Sequence, residues 1–128
     1  MTEIELTGHK YRIGKLPAKA QFHIARRLLP LLSSLSDLTG GEAKALEAIG
    51  RAIGALSDAE ADYVLFGLLR AVSRRIEGGG WSAVVAGEAS LAYDDINMMT
   101  MLKLAGEVFR ENLGDFLGGL PPALAGQQ

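Results

Sequence analysis

Polar and apolar residues alternate at the start of the chain. Ile4 and Leu6 sit among Glu3 and Glu5, and Tyr11 and Ile13 sit among Arg12 and Gly14. A period of two predicts strands. Thr7-Gly8-His9-Lys10 between them offers a turn, with Gly8 free to take positive φ. Residues 1–14 therefore read as a β-hairpin, which must pack on something to be stable. From Pro17 the period lengthens. Phe22, Ala25, Leu28, Leu29, Leu32 and Leu35 fall on one side of a helix, and Lys19, His23, Arg26 and Arg27 mostly on the other. Pro17 suits a first helical turn. Pro30 predicts a kink or a stop near Leu29, because it lacks the N–H and clashes one turn back. Asp37 to Gly41 reads as a loop.

Three more helices follow from the same reasoning. Glu42 to Leu56 carries a narrow seam of Leu46, Ile49, Ile53 and Leu56 among small residues. Gly50 and Gly54 weaken that helix, so a close helix–helix approach is expected there as compensation. Ser57-Asp58-Ala59-Glu60 has the spacing of a capping box. It opens a third helix to about Ile76, with Val64, Leu65, Leu68, Leu69, Val72 and Ile76 as its stripe. Those leucines and Val72 are expected to pack against Phe22, Leu28 and the last helix. Gly78-Gly79-Gly80 ends that helix. Trp81 to Ala92 is irregular, with strand character at Val84-Val85. Asp94-Asp95 caps a fourth helix to about Leu117, along which Ile96, Met99, Leu102, Val108, Phe109, Leu113 and Phe116 recur. Gly118-Gly119 and Pro121-Pro122 end it. The expected fold is mainly α: one domain over 1–128, a bundle of about four helices over 17–117, an N-terminal β-hairpin over 1–14 and a mobile tail over 118–128.

Composition narrows the function. The chain has 128 residues, 48% hydrophobic and 22% charged, with a formal net charge of −2. That charge exerts no global pull on nucleic acid or anionic lipid. There is no cysteine, so disulfides and thiolate metal sites are excluded. The N-terminus lacks the basic start and apolar run of a signal peptide, and no stretch has the length of a membrane span. The expected location is the cytoplasm.

Candidate chemistry is sparse. His9 and His23 are the only histidines, and neither has an acidic neighbour at ligand spacing. Asp94-Asp95 could share proton work, but capping explains the pair more simply. Gly14-Lys15 and the triple glycine do not continue as a phosphate loop. No nucleophile elbow is present. Two basic groups, Lys15, Lys19, Arg26 and Arg27, then Arg70, Arg74 and Arg75, lack interleaved aromatics and read as solvated faces. Met98, Met99 and Met101 cluster with Leu102. At about 100° per residue they form a broad apolar sector, and methionine adapts its shape to irregular apolar partners. The four are the candidate partner-binding residues. The alternative is a helix buried on every side.

Tyr11-Arg12-Ile13-Gly14-Lys15-Leu16 and Gln21-Phe22-His23-Ile24-Ala25-Arg26-Arg27-Leu28 resemble the start of phage tail assembly chaperones, from tailed phages and prophages. Asp94-Asp95-Ile96-Asn97-Met98-Met99-Thr100-Met101-Leu102, with Glu111-Asn112-Leu113 and Phe116, resembles their end. The resemblance implies a protein that coats the long, helix-rich tape-measure protein in the host cytoplasm, keeps it soluble, and is displaced before the tail is complete. It implies no catalysis and no cofactor. The partner is then the tape-measure protein, with the tail tube protein and a second copy of the chain as further candidates, and no membrane. Two other readings compete. One is a small helical regulator that binds nucleic acid through Arg26, Arg27, Arg70, Arg74 and Arg75. The other is an enzyme with a site around Asp94, Asp95 and Trp81.

Overall fold

The computed structural model describes residues 2–31 and 42–118. The expected positions of Leu32 and Leu35, the loop 37–41, the tail beyond Gly118, and the side chains of Leu46, Leu113 and Phe116 lie outside the described residues.

The hairpin forms as its alternation predicts. Strand β1 (Thr2–Leu6) pairs antiparallel with β2 (His9–Ile13), Leu6 opposite His9 and Thr2 opposite Ile13. The connection is the two-residue turn Thr7-Gly8, both at positive φ, 50° and 81°. This is the geometry that matches strand twist, and it usually employs Asn-Gly. Threonine is an uncommon occupant of that region, and its hydroxyl donates to the Leu6 carbonyl at 2.7 Å.

Helix α1 (Ala18–Leu28) gives way to a 3-10 turn, Leu29–Leu31, which absorbs Pro30. Its core-facing residues are Ile24, Ala25 and Leu28, whereas Phe22 is 62% exposed. The helix is therefore rotated from the expected stripe, and Phe22 does not join the core. Helix α2 (Glu42–Gly54) buries Ala48, Ile49, Ala52 and Ile53. The close approach expected at its glycines is absent: a Cβ on Gly50 or Gly54 would meet nothing within 4 Å. The tight contact is at Gly67 on the next helix, where a Cβ would lie 3.4 Å from Ile24 Cδ1. Gly50→Ala should therefore stabilise the protein, by about 0.5–1 kcal/mol, since alanine restores helix propensity without a clash. A denaturant midpoint that falls instead would show that Gly50 is packed.

Helix α3 (Asp58–Leu69) starts at its Ser57 cap, whose Oγ accepts from the Glu60 N–H at 3.2 Å. It stops at Leu69, well short of the expected end at Ile76. Val72–Arg75 is strand β3, which pairs antiparallel with β2, and Trp81–Ala83 is strand β4, paired with β3. The triple glycine is not a helix stop. It belongs to the β3–β4 turn, where Gly78 and Gly79 take φ of 92° and 98° and the Ile76 N–H donates to the Gly80 carbonyl at 2.9 Å. Val85–Ala86 (β5) and Ser90–Leu91 (β6) form a second, two-stranded ladder.

The helical bundle is thus corrected to a mixed fold. A four-stranded antiparallel sheet of order β1-β2-β3-β4 carries helices on one face. Helix α4 (Met98–Gly118) packs against α3, α2 and β2. Its cap is Asn97, whose Oδ1 accepts from the Thr100 N–H at 2.9 Å. The expected Asp94-Asp95 cap is overturned by that bond. The core joins Tyr11, Ile13 and Val72 from the sheet to Leu68, Leu69, Leu104, Val108 and Phe109 from the helices.

Candidate partner-binding surface

Three features gather the side chains that could act. The first is the start of α4. Ile96 and Thr100 are buried there, so the first turn is anchored, and Met98 and Met99 turn outward at 68% and 53% exposure. Met101 and Leu102 pack partly against the core. The four nominated residues divide accordingly: two form an exposed apolar pair, and two line its base. None of the helix's inner positions requires Met98 or Met99, since Leu104, Ala105, Val108 and Phe109 fill the interior.

The second feature is a groove between α1 and α3, about 440 Å³ in volume. Leu16, Ala20, Ile24, Phe66 and Gly67 supply its apolar lining, with Asp62 and Tyr63 among the remaining residues. Tyr63 is 47% exposed, and the Arg27 guanidinium lies 4.3 Å over its ring. Sequence reasoning missed this groove by turning Phe22 inward. The available signal was Gly67, a residue without a side chain in an otherwise apolar run.

The third feature is polar. Arg74 lies on the inner face of β3, only 9% exposed. Its Nη1 donates to Asp95 Oδ1 at 2.8 Å, its Nη2 stands 3.1 Å from His9 Nε2, and its guanidinium lies 4.2 Å over the Tyr93 ring. His9 Nε2 is also 3.1 Å from Asp95 Oδ2. The cluster ties the hairpin, β3 and the approach to α4 together. The hydrogen bond from Arg74 holds the Asp95 carboxyl below the usual range, and the same bond raises Arg74 further. Burial pushes the Tyr11 phenol up. A second carboxylate, Glu111, is lowered chiefly by the Thr2 hydroxyl, which donates to it at 2.5 Å.

These shifts set an acid limb. Both carboxylates have folded pKa values below their unfolded ones, so their stabilisation is present above the ordinary carboxylate range. It is lost as pH falls through the depressed folded values. The melting temperature should drop below about pH 4. Asp95→Asn combined with Glu111→Gln should lower it at pH 7 and make the acid decline shallower. An unchanged acid limb in that variant would show that other groups control it.

The geometry separates the residues of the two competing readings. Trp81 stands opposite Arg75, on the face of the sheet away from Arg74 and Asp95, so the nominated Asp94, Asp95 and Trp81 do not form one site. The basic groups diverge as well. Arg70 donates to the carbonyls of Gly87 and Glu88, Arg74 points inward to Asp95, and Arg75 turns to Trp81. Arg26 and Arg27 turn back on His23. Among the described residues, no group of three or more His, Asp or Glu side chains could hold a metal ion, and no helix is long and apolar enough to cross a membrane.

The structure is a helix-backed antiparallel sheet with two exposed methionines and an open apolar groove. A family model described as phage tail assembly chaperone protein, TAC, matches residues 7–121. The match covers nearly the whole chain, and this chain belongs to that family. It matches no curated protein and no solved structure.

Proposed function

We propose that the chain binds the tape-measure protein of its phage tail and keeps it soluble in the host cytoplasm until the tail tube assembles. It does so as a stoichiometric binder, with no reaction catalysed and no cofactor held. The observation that carries this reading is the exposed pair Met98 and Met99, beside half-buried Met101 and Leu102. Large apolar side chains lose free energy by standing in water, and unbranched thioethers can fit the varied apolar ridges of a long helix. Family membership supplies the tail-protein class of partner. A second copy of the chain, or the tail tube protein, would use the same apolar pair and compete with the tape measure for it.

The test is co-expression with the candidate tape-measure protein of the same phage. The double substitution Met98→Gln, Met99→Gln leaves the core intact, so its helicity and melting temperature should match wild type. The yield of soluble tape-measure protein should fall severalfold, by the loss of buried apolar contact. If a folded double variant supports wild-type yield, the methionine surface is not the binding surface, and the α1–α3 groove takes its place.

A further inference from the structure

Strand β1 forms one edge of the sheet, with β2 on its inner side and, among the described residues, no strand on its outer side. Its ladder assigns the free backbone groups. In a hairpin with a two-residue turn, the pair flanking the turn exchanges both backbone bonds, and bonded pairs then alternate. Leu6–His9, Ile4–Tyr11 and Thr2–Ile13 are therefore the bonded pairs. Glu3 and Glu5 turn their N–H and C=O groups outward.

The side chains on this edge are matched to that opening. Ile4 and Leu6 point to the inner face but are only half-buried, while Tyr11 and Ile13 behind them are fully buried. Glu3 and Glu5 are exposed on the outer face and make no ion pair among the described residues. Arg12 stands opposite Glu3, yet its guanidinium lies 4.1 Å over the Trp81 ring instead.

We propose that the β1 edge docks an extended segment of a partner protein in which Lys or Arg alternate with aliphatic residues. The segment adds as a fifth strand. Its backbone bonds to Glu3 and Glu5, its cations lie beside their carboxylates, and its aliphatic side chains cover the open flanks of Ile4 and Leu6. Strand β2, His9-Lys10-Tyr11-Arg12-Ile13, sets the same alternation along β1 on its other side, with Lys10 opposite Glu5 and Arg12 opposite Glu3. A second copy's β1 is a poor occupant, since two-fold pairing about Ile4 sets Glu3 against Glu5 twice, and like charges directly opposite are destabilising. The chain's own stretches 32–41 and 119–128 contain no Lys or Arg. The site is separate from Met98 and Met99 and does not depend on what they bind.

The experiment follows amide hydrogen exchange of the full chain, with and without a short peptide alternating lysine and valine. The amides of Glu3 and Glu5 should slow by about tenfold or more at saturating peptide, and the effect should weaken as salt rises. A peptide alternating glutamate and valine should leave them unchanged. Glu3→Lys with Glu5→Lys should invert that preference. Glu3→Pro removes an outward donor and no donor to β2, so it should abolish the protection while the melting temperature holds. Should that proline variant unfold, the lysine pair alone decides. Unchanged exchange with the lysine–valine peptide overturns the proposal, as does equal protection by both peptides. Protection of Glu3 and Glu5 that rises with protein concentration alone, without peptide, also overturns it, because a second copy is then the occupant.

Discussion

Phe109→Ala should destabilise the fold by about 3–5 kcal/mol, the range for removing a fully buried aromatic ring. The side chain is 1% exposed and sits in the core with Leu104 and Val108 of its own helix. Helix α4 is the element against which α2, α3 and β2 all pack. A void there has walls on several elements that cannot collapse together, which places the cost towards the upper part of that range. Urea unfolding followed by circular dichroism checks it. A loss under about 1 kcal/mol would mean that the helices close over the gap, and that the layers are held more loosely than the burial implies.

Asn112→Leu should cost about 2–5 kcal/mol, for a different reason. Asn112 is 5% exposed and its amide is fully used. Its Oδ1 accepts from the Leu16 N–H at 2.6 Å and from Gln21 Nε2 at 3.0 Å. Its Nδ2 donates to the Gly14 carbonyl at 3.0 Å and to the Val108 carbonyl at 2.9 Å. The link between β2 and α1 is thereby fixed to α4 across 96 residues of sequence. Leucine fills the volume but strands the Leu16 N–H and the Gly14 carbonyl, each costing about 1–3 kcal/mol when buried without a partner. Asn112→Asp separates this account from simple packing. A carboxylate cannot donate to Gly14 and Val108, and the variant should recover stability as pH falls and the group protonates. An Asn112→Asp variant whose stability ignores pH would contradict the assigned hydrogen bonds.

The parts of the fold that were legible in the sequence are those where one local signal faced no rival. Alternation around Ile4, Leu6, Tyr11 and Ile13 specified the hairpin. Ser57 specified the start of α3, and Pro30 the end of α1. Strand β3 was hidden because Arg74 occupies an inward position that alternation reserves for apolar residues. Its partner Asp95 lies 21 residues away, beyond any local pattern. Val72 and Ile76, four apart, then imitated a helical stripe. The triple glycine fitted a helix stop as well as the hairpin turn it makes. At the candidate site, periodicity placed Met98, Met99, Met101 and Leu102 on one broad sector. It could not divide them, because the covering of that sector is set by Ile96 and Thr100, which anchor the first turn. Phe22 was misplaced for the complementary reason: Ile24, two residues on, took the inward position.

The role proposed for this chain is to hold the tape-measure protein in solution. The most direct measurement dilutes denatured tape-measure protein into buffer, alone and with increasing amounts of the purified chain, and weighs what remains in the supernatant after centrifugation. Soluble tape-measure protein should rise with the amount of chain and level off at a fixed stoichiometry, with both proteins in one sedimenting complex. Aggregation that is equally complete with and without the chain, at every ratio, would contradict it.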